Sequence, residues 1–482
     1  MSYDPEKRKG ANVFRERTSY RVCTQCIMDS SDPEIEFDEH GVCNHCRDYD
    51  RRVAEEVFPG AIGRQKLAKY VAQIKREGQG KRYDCILGLS GGVDSTYVAY
   101  LTKKLGLRPL AVHLDNGWNS EISVRNIENI VSILGLDLYT KVLDWEEFRR
   151  LQLAFLRAST PDSEIPTDHA IVATLYETAA KHDVRWIMDG SNVVTEIMVP
   201  ATWSHGHSDW GYIKNLNDSF GGTDLKNYPH YDYYDHNFWY RHVKKIQRFP
   251  ILNYIDFNKM EAMEIMKKEL QWVPYGGKHY ESIYTRFYQG YILPKKFGFD
   301  KRRSHLSCLV KNGRITRDEA LAQIQQPALS EEQEREDREF VVKKLGITDA
   351  EFEGIMKAER KTFWDYPSDE RDISKTRKYQ LYWKGYALFH RVHASARQLA
   401  AYGGIFSTSI IKFLKEAPRE LRNRPLSYMG RGVRGIARGG ALVGLTLVAP
   451  LVPPARSIAR RVLPDAAFER LRDVARRILS HS

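Results

Sequence analysis

From residue 83 the chain alternates short apolar runs with stretches of helical periodicity, and few folds accommodate that order. YDCILGL (83–89), LAVHLD (110–115), DLYTKVL (137–143) and RWIMDG (185–190) read as strands. Ser95–Leu105 and residues 121–134, 145–158 and 168–182 read as helices. Strand–helix repetition predicts an α/β fold, a parallel sheet covered on both faces. Ligands of such sheets bind beyond the carboxyl ends of the strands, so Ser90, Asp115, Ser191 and Asn192 become candidates by position.

The first strand runs into Ser90-Gly91-Gly92-Val93-Asp94-Ser95 and then directly into a helix. Backbone N–H groups at a helix N-terminus attract an anion, and glycine lets it come close. Ser90 and Ser95 add hydroxyls. Asp94 does not suit a bare anion site unless a divalent cation bridges it to phosphate oxygens. A serine-capped turn without a ligand is the plainer alternative. No GxxxxGK[ST] occurs in the chain, which disfavours γ-phosphate transfer.

Four of the six cysteines form two pairs, Cys23/Cys26 and Cys43/Cys46, separated by 16 residues. This is the spacing of a tetrahedral zinc site, and four thiolates leave no open position for catalysis. Disulfides are the alternative, which a cytosolic setting disfavours. His45 lies inside the second pair and reads as a bystander. Cys85 falls in the first strand as a small core residue, and Cys308 stands alone.

SGGVDS resembles the PP-loop of the ATP pyrophosphatases, the adenine-nucleotide α-hydrolase superfamily, whose domain is Rossmann-like. VHLDNGW (112–118) resembles that superfamily's segment beside the adenosine, and MDGSNVVTE (188–196) its motif near the α-phosphate. Two more stretches, IPTDHAI (165–171) and YGGKHYESIYTRFYQGYILPKKFGFDKRRSHLSCLVKNGRITRDEAL (275–321), join the cysteine pairs in resembling the N-acetyl sugar amidotransferases of lipopolysaccharide O-antigen biosynthesis. The likeness runs over roughly residues 20–375.

That resemblance implies an ATP-dependent, AMP-forming enzyme. ATP adenylates the acetamido oxygen of a UDP-linked or similar N-acetyl sugar, and ammonia displaces AMP to leave an acetamidine. It implies a separate glutaminase of the histidine-biosynthesis type, with or without its cyclase-like companion, and the cofactors ATP, Mg²⁺ and structural Zn²⁺. Ser90, Gly91, Gly92 and Ser95 would cradle pyrophosphate, with Asp94 on Mg²⁺. Asp115 would lie near the adenosine, and Ser191 and Asn192 near the α-phosphate. Lys278, His279, Glu281 and Arg286 are implied at the reacting sugar. Asp168, His169, Lys296, Asp300, Arg302, Arg303 and His305 are implied as substrate-binding. A solvated basic helix face is the alternative for the last of these segments, and a simple helix cap for Asp168-His169.

Two other enzymes share the adenylation logic. A PP-loop tRNA thiolation enzyme needs reactive cysteines near the adenylate, and here zinc accounts for four. An ATP-dependent carboxylate amide ligase differs only in its acceptor. A non-catalytic scaffold is disfavoured by the intact Ser/Gly/Asp set.

Organisation follows from these patterns: an arm and zinc module (1–50), the ATP-binding α/β domain (51–250), a helical region (251–390) and a basic extension (391–482). Residues 52–79 read as a helical connector, and 200–250, which lack periodicity, as a long ordered loop. Net charge is +12. The extension alone carries 15 Arg and 2 Lys against 2 Asp and 3 Glu, so residues 1–390 sum to zero. Its amphipathic stretches suit packing on protein or an anionic membrane surface, and nucleic acid is disfavoured because the charge lies away from the turn. The uncharged GGALVGLTLVAPLVPPA (439–455) is short for a span and holds three prolines. A polar N-terminus with acids predicts a cytoplasmic protein, at most peripheral to the membrane.

Overall fold

The computed structural model describes residues 19–277 and 280–372. The basic extension, Lys278 and His279 lie outside them. Described residues up to Arg371 pack as one unit.

Two helices, α1 (Asn44–Glu56) and α2 (Gly60–Glu77), occupy the expected connector and are broken at Pro59. The alternation then unfolds as predicted: β1 (Cys85–Gly88), α3 (Val93–Lys104), β2 (Pro109–Asp115), α4 (Glu121–Leu134), β3 (Asp137–Val142), α5 (Trp145–Ala158), α6 (Ile165–Lys181) and β4 (Trp186–Asp189). Local chemistry sets the ends. Ser120 caps α4 and Asp144 caps α5 through side-chain oxygens, while Gly135 ends α4 in the left-handed conformation.

Residues 200–250 are not the loop that their sequence predicts. After α7 (Val193–Glu196) they contain α8 (Trp210–Leu216), a π-helical stretch at Asp235–Val243 and a fifth strand, β5 (Gln247–Pro250). Ring stacking in place of aliphatic periodicity holds this stretch: His169 lies 4.2 Å from Tyr231, and Trp210 lies 4.1 Å from His230.

The sheet is parallel throughout, in the order β3-β2-β1-β4-β5. Because β2 and β3 build outward on one side of β1 and β4 and β5 on the other, strand order reverses between β1 and β4. That reversal opens a crevice at their carboxyl ends. Side chains of β1 alternate: Cys85 and Leu87 face α2, α3, α4 and α9 (Lys259–Leu270), whereas Ile86 faces α6.

A second core lies under α10 (Ile283–Phe287), α11 (Arg302–Lys311), α13 (Glu331–Leu345) and α14 (Asp349–Lys357) of the helical region, while α12 (Arg317–Gln325) packs through Ala320 with Ile27 and Leu306. The four paired cysteines belong to this core. Among the described residues no helix is long and apolar enough to cross a membrane.

Candidate active site

The turn between β1 and α3 lies at the crevice. Gly91 has φ +77°, and a Cβ there would come 2.6 Å from the Ser123 carbonyl oxygen, so conformation and space both demand glycine. Ser90 Oγ and Ser95 Oγ are 3.1 Å apart, and the Ser90 hydroxyl oxygen accepts from Gly92 N–H. Asp94 occupies the first turn of α3, with Lys259 Nζ 3.9 Å away. The end of β4 closes against the same place, since a Cβ on Gly190 would be 3.4 Å from Ser95 N.

Past Gly190, the exposed Ser191 donates its N–H to Asp189. Asn192 is 5% exposed and caps α7 through Oδ1, while its Nδ2 has no acceptor among the described residues. Asp115, at the end of β2, accepts from Gly117 N–H at 2.9 Å and from Asn119.

Residues 272–277 and 280–283 are laid across this turn. Trp272 Nε1–H donates to the Gly91 carbonyl at 2.9 Å. Asn126 bonds both backbone groups of Val273. The Tyr275 hydroxyl accepts from Val93 N–H at 3.0 Å. Glu281 follows, and a Cβ on Gly92 would be 3.1 Å from its carboxylate oxygen and 3.3 Å from the Tyr275 hydroxyl. Burial, then the charge of Glu281, pushes the Tyr275 phenol far above its usual range, so it stays protonated. Of the residues expected at the reaction centre, the structure thus brings together Ser90, Gly91, Gly92, Asp94, Ser95 and Glu281. Tyr275, which opens the 275–321 stretch, and Trp272, which lies outside every stretch singled out in the sequence, join them.

The other expected substrate residues are bonded inside the protein. Arg286 makes a two-pronged ion pair with Asp337, at 2.8 and 2.5 Å. Lys296 is buried and donates to the Ile355 carbonyl at the end of α14, and burial lowers its ammonium to about 8. Arg302 closes on Asp300 and on the Gln326 carbonyl. Arg303 bonds Asp29, the Ile27 carbonyl and the Tyr20 hydroxyl, tying α11 to the cysteine module. His305 is half-buried on α11. His169 is fully enclosed: its Nδ1 bonds the His207 carbonyl and its Nε2 accepts from Tyr231 N–H. Burial lowers it to about 4, so it is neutral. Asp168 meets a partner with no motif to mark it, His207, which lies 3.2 Å from both Asp162 and Asp168. These carboxylates, Asp162 foremost, raise His207 to about 10 against its burial.

Cys23, Cys26, Cys43 and Cys46 converge, with all four sulfurs within 4.8 Å of one another. The Cys23–Cys46 and Cys26–Cys43 sulfurs lie 3.9 and 3.7 Å apart. That is the edge of a tetrahedron with Zn–S of about 2.3 Å and far beyond an S–S bond. The residues fit zinc. His45 is turned away to Asp32 at 2.7 Å. Arg317 donates to the Cys23 and Cys26 carbonyls, and the Ser307 hydroxyl accepts from Ile27 N–H.

Residues 65–155 match the family NAD synthase, and residues 281–381 match the family described as LPS biosynthesis protein WbpG-like, C-terminal domain. The chain joins a PP-loop domain to a WbpG-like C-terminal domain. No curated protein matches it. Among solved structures it resembles an NH3-dependent NAD synthetase from Campylobacter jejuni at 17% identity, covering 30% of this chain and 58% of that one, with a TM-score of 0.22. It also resembles the NMN synthetase from Francisella tularensis at 14% identity, covering 62% and 95%, with a TM-score of 0.27. The chain therefore spans just over half the length of the first of these. The WbpG-like domain enters at Glu281 and pairs there with the PP-loop domain: Ser120 N–H donates to the Glu281 carbonyl, and Ile283 N–H to that of Trp118. The tilted ring contact of Trp118 with Tyr284, and the Lys344 ammonium donating to the Gly117 carbonyl, complete the joint.

Proposed function

We propose that the protein is an ATP-dependent, AMP-forming amidotransferase of lipopolysaccharide synthesis. It adenylates the acetamido oxygen of a UDP-linked or similar N-acetyl sugar and admits ammonia to replace it. The observation carrying this reading is the glycine turn at the strand-order reversal, covered by the segment that leads into the WbpG-like domain. A turn without a Walker lysine suits holding pyrophosphate as leaving group. The acceptor must then come from the covering side, where Glu281 lies.

In this reading Ser90, Gly91, Gly92 and Ser95 hold the leaving pyrophosphate, and Asn192 Nδ2 offers its spare N–H to the α-phosphate. Asp94 and Glu281 supply hard oxygen donors suited to Mg²⁺, which offsets phosphate charge when bound. An amide oxygen is a poor leaving group, and its transfer to AMP lets ammonia complete the substitution. Ammonia comes from a glutaminase partner of the histidine-biosynthesis type.

The test combines the chain with ATP, ammonium chloride in place of the partner, and candidate UDP-N-acetyl sugars carrying ¹⁸O in the acetamido group. The expected result is AMP bearing the label and a sugar product about 3 Da lighter than the labelled substrate, as =¹⁸O becomes =NH. Asp94→Ala should lower AMP formation by at least about a hundredfold with metal content unchanged. Undiminished AMP release in that variant, or unlabelled AMP, would sink the reading.

A further inference from the structure

One edge of the sheet is β3, and it carries an unusual surface. Among the described residues eleven large apolar side chains are exposed, and six of them fall between positions 122 and 142. These are Ile122, Val124 and Ile133 on α4, and Leu138, Tyr139 and Val142 on β3. Scattered apolar residues need no explanation, but a cluster along one edge marks an interaction surface. β3 pairs with β2 residue for residue and holds neither proline nor bulge, two devices that blunt an edge.

The backbone says which groups await a partner. Leu143 N–H donates to the Asp115 carbonyl at 2.9 Å, so alternation turns the N–H and C=O of Asp137, Tyr139 and Lys141 toward β2. Those of Leu138, Thr140 and Val142 point outward and meet no backbone partner among the described residues. Side chains alternate as well. Leu138 lies beside Ala111 on the face that α4 covers, with Thr140 and Val142 following it. Asp137, Tyr139 and Lys141 share the opposite face, where the Lys181 ammonium is 5.9 Å from the Tyr139 ring. On α4, Val124 lies on the flank away from Asn126 and Asn129, which bond Val273 and Gln271, and so leans toward the edge.

An occupant must bring a strand edge, apolar side chains and matching charge. A second copy of β3 brings all three. In an antiparallel pair, outward-turned residues face outward-turned residues, so a twofold axis must pass through a residue of the strand. An axis at Tyr139 is the one that sets Asp137 against Lys141 of the partner subunit, on both sides of the axis. An edge lysine ordinarily discourages pairing; in this register it is matched. Asp137 is half exposed and held at the edge by Arg82 at 2.9 Å and Tyr83 at 2.8 Å.

We propose that the protein is a twofold dimer in which β3 pairs antiparallel with β3 of a second copy about an axis at Tyr139, joining the two sheets into one. Leu138 and Thr140 then exchange both N–H···O bonds with Thr140 and Leu138 of the partner subunit. Leu138, Val142 and Val124 close over the seam on the α4 side.

Sedimentation equilibrium of the full chain at micromolar concentration should give a dimer. Lys141→Glu and Asp137→Lys each set like charges across the axis and should weaken dimerisation by at least about tenfold. Mixed in equal amounts, the two should associate one to one with near-native affinity, since each offers the charge the other lacks. Thr140→Pro removes an N–H that β2 does not use and should also give monomers, with circular dichroism and metal content unchanged. Tyr139→Cys should cross-link into a dimer on mild oxidation, because facing Cα atoms of such a pair lie about 4.5 Å apart. A monomeric full chain, its edge left open or covered by residues 391–482 or by another protein, would overturn the pairing. So would a dimer indifferent to Lys141→Glu and Thr140→Pro, or two folded charge variants that fail to associate on mixing.

Discussion

His169 and His207 are joined by one hydrogen bond and titrate in opposite directions. His169 is walled in by rings and stays neutral down to about pH 4. The unfolded chain takes up its proton near 6.5, so this residue removes stability as pH falls from 6.5 toward 4, by roughly 3 kcal/mol in full. His207, between Asp162 and Asp168, keeps its proton to about 10. Its contribution is complete below 6.5 and is lost as pH rises through 10. Denaturant titrations should therefore show maximal stability near neutrality, with His169→Phe flattening the acid limb and His207→Gln the alkaline limb. An unchanged alkaline limb in His207→Gln would count against the charged pair. The sequence marked Asp168-His169 as a pair of site candidates, yet it does not reveal which ring will be buried. Burial here depends on Tyr231 and Trp210, more than forty positions away.

At the scale of elements, the cysteine module is less an appendage than a clamp. Arg303 and Arg317 grip its backbone carbonyls from α11 and α12, and Lys311 reaches Asp50. One zinc per chain is expected by elemental analysis. Chelation should lower the melting temperature and raise amide exchange in α11 and α12 as well as in the module; exchange confined to residues 20–46 would contradict the clamp. β1, β2 and β4 were legible as apolar runs bounded by turns, and β3, mostly exposed, from its place in the strand–helix alternation. β5 was not, because Gln247-Arg248-Phe249-Pro250 buries a single phenylalanine and gains its strand character only by pairing with β4. The glycine turn was legible from local chemistry. The covering role of Trp272 and Tyr275 was not, since it consists of bonds spanning some 180 residues.

For the whole molecule, the described residues all lie within the portion whose charges sum to zero, and the excess charge lies in 391–482. A chain ending at residue 390 should keep its ATP-to-AMP turnover and lose association with anionic vesicles in sedimentation. Undiminished vesicle binding would retire the idea of a membrane anchor. The pairing of Ser120 with Glu281 also sets a schedule. Roughly 160 residues separate the two partners, and at synthesis rates of about 5–20 residues per second the ribosome needs on the order of ten to thirty seconds to supply the second. Throughout that interval the glycine turn stands without its cover and the edge after β2 without its mate. The nascent chain is therefore most vulnerable to chaperone capture or aggregation in the window that ends when Trp272–Ile283 emerges.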